Sequence, residues 1–82
     1  MAFEGYTDDV TKNRTKITVG SFHQSYNPSH APTGYGYFVY FPIKANAVSG
    51  KFILAVDYYG NYLYVYSSWE NNAWKKVALS AI

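Results

Sequence analysis

Two β-type segments joined by a Gly-Asn pair constrain the fold of this chain more than any other feature. Residues 51–59 (KFILAVDYY) and 62–70 (YLYVYSSWE) are rich in β-branched and aromatic residues, and only Gly60-Asn61 separates them. Both residues of the pair tolerate the positive φ of tight hairpin turns, so the pattern predicts a β-hairpin with a two-residue loop. A further segment of this type, residues 74–80, predicts the final strand.

The upstream half continues the pattern. Residues 17–25 begin with alternating apolar and polar side chains, as a half-buried strand does. Residues 37–43 (YFVYFPI) are almost wholly apolar and predict a buried strand that ends near Pro42, since proline cannot donate to a ladder. Loops are expected at 26–36 and 44–50. Without any helical periodicity, we expect an all-β domain of about five mostly antiparallel strands, as a sheet or compact sandwich.

The N-terminal residues differ in composition from the rest. Residues 1–15 contain Asp8-Asp9 and most of the basic stretch TKNRTK, and we interpret them as a polar, solvated segment ahead of a domain at 16–82. A chain of 82 residues has room for one domain with a modest core. The sequence MAFEGYTDD lacks the basic and apolar regions of a signal peptide, so we predict synthesis in the cytoplasm without a conventional export signal.

Composition favours assembly. Cysteine is absent, so neither a disulfide nor a thiolate–metal site can support the fold. Hydrophobic residues make up 49% of the chain and charged residues only 15%. Aromatic residues reach 21%, which is more than a domain of this size needs for its own interior. We therefore expect a homo-oligomer. A net charge of +2 with scattered lysines argues against nucleic acid as the partner, and no segment is apolar for long enough to span a membrane.

Five tyrosines fall within residues 58–66 (YYGNYLYVY), and the hairpin register divides them between two faces. With Gly60-Asn61 as the loop, Tyr59 pairs with Tyr62. The face expected to form the core carries Phe52, Leu54, Val56, Tyr58, Leu63, Val65 and Trp69. The opposite face, expected to be the outer one, carries Ala55, Asp57, Tyr59, Tyr62, Tyr64 and Tyr66.

Such a tyrosine stripe around one carboxylate suits three uses. It can pack against a neighbouring subunit, because tyrosine gives a large contact area at low entropy cost. It can bind a sugar, whose ring lies on an aromatic face while Asp57 and the hydroxyls form hydrogen bonds. It can also stack unpaired bases. In the first two cases, Tyr64→Ala should weaken assembly or adhesion while the monomer fold stays intact.

Two tryptophans flank the turn that follows the hairpin. For Trp69 and Trp74 we favour packing in the core and at the sheet edge, since each buries a large area that a small domain needs. The functional alternative is an exposed indole beside Asn71 and Asn72, which would form a sugar subsite.

Signatures of catalysis and metal binding are missing. The chain has no nucleophile elbow, phosphate-binding loop or dinucleotide fingerprint, and its acidic residues form no evident pair for glycoside hydrolysis. His23 and His30 are seven residues apart without neighbouring ligands, so we expect solvent-facing or hydrogen-bonded histidines and no cofactor. In a trimer, His23 could still meet its copies near a three-fold axis. We expect a non-enzymatic protein.

The last third resembles the pyocin-knob-type, distal receptor-binding domain of phage tail fibres. The similar residues are 56–66 (VDYYGNYLYVY), Trp69 and the closing Trp74-Lys75-Lys76-Val77; upstream, residues 20–22, 30–32 and 37–41 also resemble the family. The resemblance covers roughly residues 16–79. It implies a homotrimer at the fibre tip of a virion, or an extracellular relative, that adheres to bacterial surface glycan. The alternative is a small standalone interaction or inhibitor protein that uses the tyrosine face against a protein partner.

Overall fold

The computed structural model describes residues 1–23, 30–45, 48–68 and 73–82. Six strands are present: β1 (Ala2–Thr7), β2 (Thr18–His23), β3 (Tyr35–Ala45), β4 (Val48–Asp57), β5 (Tyr62–Ser67) and β6 (Trp74–Ala78). The predicted all-β class is confirmed. Over the same described ranges, no helix has the length and apolar character needed to cross a membrane.

All six strands form one sheet in the order β1-β2-β3-β4-β5-β6. The pairs from β2 to β6 are antiparallel, whereas β1 runs parallel to β2. The expectation that residues 1–15 form a solvated segment ahead of the domain is wrong, because β1 is an edge strand of the sheet. Gly20 permits this pairing, since a Cβ at that position would lie 2.1 Å from the carbonyl oxygen of Glu4.

Residues 8–17, the covering loop, cross one face of the sheet between β1 and β2. Val10 is fully buried there, and its N–H donates to the carbonyl of His30 at 2.8 Å. The core formed under this loop consists of Val10, Phe22, Ala31, Phe38, Tyr40, Ile53, Ala55, Tyr64 and Tyr66. We call this side of the sheet the covered face and the opposite side the open face.

The β3–β4 hairpin is longer than the sequence predicts. Most of the loop expected at 44–50 is strand, and Pro42 lies inside β3 opposite Lys51. The backbone N–H and C=O of Lys51 both bond to Ser68, so Lys51 directs no ladder bond towards Pro42. On its other side β3 is paired with β2 only as far as Tyr40. The missing proline N–H is therefore not needed on either side.

The β4–β5 turn has four residues, 58–61, instead of two. Gly60 has φ 74° and donates its N–H to the carbonyl of Asp57 at 2.9 Å, and the last ladder pair is Val56 opposite Leu63. The predicted register is therefore wrong by two residues. Because side chains alternate with a period of two, the division of strand residues between faces is nevertheless as predicted. Tyr58, expected in the core, is exposed in the turn.

The inner and outer faces are the reverse of the prediction. Ile53, Ala55, Tyr64 and Tyr66 lie on the covered face and are buried. The aliphatic set, which includes Leu54 and Val65, lies on the open face and is only partly buried. Both faces are apolar enough to form a core, and the covering loop decides between them by packing over the tyrosine side.

Candidate binding surfaces

The open face is a continuous apolar surface across the sheet. Its central side chains are Val39, Leu54, Val56, Leu63 and Val65, all partly accessible. The first four of these, with Tyr37, line a shallow depression of about 220 Å³. Tyr37 is 51% exposed and Val77 on β6 is 55% exposed. Within the described strands, Lys75 is the one charged residue at an open-face position.

One end of the open face carries a small aromatic group. The ring of His23 stacks on Tyr35 with 4.4 Å between centroids, and the hydroxyl of Tyr6 lies 3.3 Å from His23 Nδ1. The expectation of a hydrogen-bonded His23 is confirmed. Among the residues that the structure describes, no three His, Asp or Glu side chains gather in a cluster suited to a metal ion.

The tyrosines proposed as a binding stripe have separate environments. Tyr64 is 8% and Tyr66 7% exposed, so both are core residues under the covering loop. Burial raises the pKa of the Tyr66 hydroxyl, with a smaller contribution from Asp9. Tyr62 is half-buried, with Lys76 Nζ 4.6 Å from its ring centroid. Tyr59 is 81% exposed at the turn. The structure thus does not bring these four side chains together on one accessible surface.

Asp57 organises the β4–β5 turn. Its Oδ1 accepts the backbone N–H of Asn61 at 2.7 Å and that of Tyr62 at 2.8 Å. A carboxylate that accepts two backbone N–H groups stabilises the turn conformation. These two bonds give Asp57 a structural role in the turn, and the predicted ligand contact would fall to its second carboxylate oxygen.

Trp74 packs at the edge of the core, as the favoured interpretation predicts. Its ring lies 5.1 Å from that of Tyr66 between centroids, and within the described part of the chain its buried Nε1 has no hydrogen-bond partner. Trp69, Asn71 and Asn72, the other members of the predicted tryptophan–amide subsite, lie outside the described residues.

A second concave surface, the Lys51 groove, lies on the covered side of the sheet beside the covering loop. Its volume is about 670 Å³. Asn13, Arg14 and Thr15 of the loop form one wall, whereas the other wall belongs to the β3–β4 hairpin and includes Pro42, Lys44 and Lys51. Tyr40 and Ser68 also line it. Three basic residues and no acidic residue occur among the described residues that line this groove.

Arg14 fixes the loop wall of the groove. Its side chain is only 6% exposed, and all five of its N–H donors are engaged. Two of them bond to the Glu4 carboxylate, and the others to backbone carbonyls of the covering loop. The guanidinium carbon also lies 5.0 Å from the Tyr40 ring centroid. The hydrogen bonds from Arg14 lower the pKa of Glu4.

Little in the sequence predicts this role of Arg14. It stands in the basic stretch TKNRTK, which resembles a solvated charge run, and only its being the single arginine of the chain distinguishes it from the lysines. Arg14 shapes the groove but has no donor left for a ligand.

Lys51 is the groove's best-placed cation. Its Nζ donates to the carbonyl of Thr11 and to Oδ1 of Asn13, the latter at 3.1 Å. An ammonium group has three donors, so one N–H has no acceptor among the described residues. Burial lowers the pKa of Lys51, and the nearby charge of Arg14 adds to that effect while Asp9 opposes it. An anion bound in the groove would stabilise the charged form of Lys51 and so counteract this effect of burial.

The chain was also compared with family models, with curated proteins and with solved structures, and none of the three comparisons gave a match.

Proposed function

We propose that the protein is a non-enzymatic, homo-oligomeric receptor-binding or structural tip domain of the phage tail-fibre type, which contacts bacterial surface glycan. The observation that carries the proposal is the open face. It is apolar across the sheet, nearly free of charge, and not covered by any other element among the residues that the structure describes. A module built to assemble needs such a surface, and the sequence resemblance to tail-fibre knobs supplies the type of assembly, a homotrimer.

The open face has the size of a functional apolar patch. Six strands spaced about 4.8 Å apart give a sheet roughly 24 Å wide, and a strand of six residues is roughly 20 Å long. The face thus measures on the order of 500 Å², in the upper part of the range for the largest apolar patch on a monomer. Burying it lowers the free energy by removing apolar surface from water.

Charge does not prevent a second copy of the same chain from covering the open face. A formal net charge of +2 makes two copies repel each other weakly at long range. The open-face positions of β3, β4 and β5 are uncharged, so close contact there adds little repulsion. Leu54, Val56 and Leu63 are the central residues of such a contact, and burial of interface-core residues dominates binding energy.

The measurement that tests assembly is the mass in solution by light scattering coupled to size-exclusion chromatography, over a dilution series. We expect a mass of three chains that persists on dilution. Leu54→Lys should reduce it to one chain, because a lysine at the centre of the face cannot be buried without a partner. Thr15→Lys is the matched control, since it adds the same charge on the opposite side of the sheet.

The measured mass distinguishes assembly through the open face from two alternatives. A wild-type monomer at all concentrations would overturn homo-oligomeric assembly and favour a standalone interaction protein that uses the open face against a different partner. A trimer unaffected by Leu54→Lys would place the subunit contact elsewhere. Adhesion is tested separately by binding of the labelled wild-type protein to bacterial cells before and after removal of their surface polysaccharide.

A further inference from the structure

We infer that the Lys51 groove binds a carboxylate-bearing sugar unit of an acidic polysaccharide. This inference rests on the proposed glycan-binding function and gives it a site and a ligand class. The groove is distinct from the tyrosine stripe suggested by the sequence and lies on the opposite side of the sheet from the open face. A homo-oligomer built through the open face would therefore leave the groove free.

Size and shape suit a saccharide. The groove of about 670 Å³ falls within the volume range of sites that take small organic ligands, and it can accept one or two sugar rings. Its walls are held in place: Lys51 bonds to the covering loop from the hairpin side, and Arg14 donates its backbone N–H to the Tyr40 hydroxyl at 3.1 Å. A site with fixed walls loses little entropy on binding.

The charge of the groove selects an anion. Lys44 is exposed, and one N–H of Lys51 has no acceptor among the described residues. Arg14 is neutralised by Glu4, so the two lysines provide the net positive charge. A carboxylate that approaches Lys51 accepts a charge-assisted hydrogen bond from a partly desolvated donor, which is stronger than the same contact in water.

Polar and apolar groups around the lysines favour a sugar over a simple anion. Asn13 uses its Oδ1 to accept from Lys51, which leaves its amide N–H groups for sugar hydroxyls. The exposed Thr15 hydroxyl lies on the same wall, and the Pro42 ring opposite offers an apolar surface for the C–H face of a sugar. Alternation of hydroxyl partners with apolar patches matches the amphipathic surface of a pyranose ring.

The test is isothermal titration calorimetry of the wild-type protein with an oligogalacturonate and with its methyl ester, which has the same shape without the charge. We expect the acid to bind at least tenfold more tightly than the ester, as charge-assisted hydrogen bonds predict. Lys51→Gln should weaken binding of the acid about tenfold, and Lys44→Gln about threefold because Lys44 is exposed. Lys76→Gln, which removes the same charge outside the groove, should leave the affinity unchanged.

The outcomes separate this inference from the function on which it rests. Equal affinity for acid and ester, or weakening by Lys76→Gln as large as by Lys44→Gln, would overturn the acidic-sugar site while leaving glycan binding possible through neutral sugars. Should neither oligosaccharide bind, while the labelled protein still binds cells through their polysaccharide, the inferred ligand class is wrong. Loss of cell binding as well would overturn both proposals. Because Lys51 also supports the covering loop, the thermal unfolding of each variant is measured. If Lys51→Gln proves to be unfolded, the affinity of Lys44→Gln for the acid tests the inference instead.

Discussion

Arg14 in the covering loop binds the carboxylate of Glu4 in β1 through two parallel hydrogen bonds, of 2.7 and 3.1 Å. The pair joins the edge strand of the sheet to the loop that covers the core. Bidentate arginine–carboxylate pairs combine charge with fixed geometry, and this one is further anchored by the loop carbonyls that Arg14 also bonds. It explains how a polar N-terminal segment becomes part of the domain.

Removing Arg14 should therefore destabilise the whole fold. We expect Arg14→Ala to lower the free energy of unfolding by about 2–3 kcal/mol, because it breaks a partly buried pair and leaves loop carbonyls without donors. Urea denaturation followed by tryptophan fluorescence measures the change. Lys12→Ala, an exposed basic residue of the same loop, is the control and should change the stability by under about 0.5 kcal/mol. Equal effects of the two substitutions would contradict this assignment.

The pair of Arg14 and Glu4 makes the stability of the fold depend on pH. The folded-state pKa of Glu4 lies below its ordinary value, since Arg14 stabilises the charged carboxylate. The unfolded chain binds the proton more readily, so the stabilisation is complete above the unfolded pKa of about 4.3 and is lost as pH falls through the lower folded pKa. Thermal melts between pH 7 and 3 should show a steeper loss for wild type than for Glu4→Gln. Parallel curves would show that Glu4 does not contribute.

Asp57 provides a prediction that separates turn formation from ligand binding. Asp57→Ala removes the acceptor for the backbone N–H groups of Asn61 and Tyr62 and should cost about 1–2 kcal/mol of stability. Asp57→Asn keeps an oxygen acceptor and should cost less. Both are measured by urea denaturation, alongside glycan affinity. If either variant loses sugar binding while its stability is unchanged, the ligand role expected from the sequence is correct after all.

The buried tyrosines reverse an expectation drawn from the sequence. Tyr64→Ala should destabilise the monomer fold, because it leaves a cavity in the core under the covering loop. We expect the free energy of unfolding to fall by about 3–5 kcal/mol. Tyr59→Ala, at an exposed position of the same hairpin, is the matched control and should be close to neutral. Thermal unfolding of the two variants decides the matter, and similar melting temperatures would contradict the placement of Tyr64 in the core.

The hairpin shows how far sequence alone can predict this fold. Strand type and the division of side chains into two faces follow from the period of two, and they survive even though the turn has four residues instead of two. The register error arose because Tyr58 and Tyr59 look like strand residues, while the Asp57 carboxylate draws them into the turn. The bonds from the Asp57 carboxylate to the backbone therefore outweigh the β-propensity of the two tyrosines.

Local sequence patterns do not determine which face of the sheet is buried. Leu54 and Val56 on one face and Tyr64 and Tyr66 on the other are all apolar enough to be buried, so neither periodicity nor composition ranks them. The decision comes from Val10 and the covering loop, which are distant in sequence and look polar as a segment. The groove was missed for the same reason, since Lys51 meets Asn13 only when the loop crosses the sheet.

The parallel pairing of β1 with β2 depends on a close backbone approach that can be tested directly. A Cβ at Gly20 would lie 2.1 Å from the Glu4 carbonyl oxygen, a contact that neither backbone can accommodate without moving. We therefore expect Gly20→Ala to push β1 off the sheet and to weaken the link between Glu4 and Arg14. Amide hydrogen exchange should show loss of protection in β1 and in the covering loop, with β4 and β5 less affected.

Gly5→Ala supplies the matched control for this last prediction, because a Cβ at Gly5 meets no atom within 4 Å. It makes the same chemical change in the same strand pair, and should leave the exchange rates of β1 close to wild type. If Gly20→Ala behaves like Gly5→Ala, β1 does not pair at this distance, and the covering loop must be held over the core by Val10 and Arg14 without help from the edge strand. If only Gly20→Ala exposes β1, the edge strand and the loop form one cooperative unit, and the N-terminal residues belong to the domain energetically as well as geometrically.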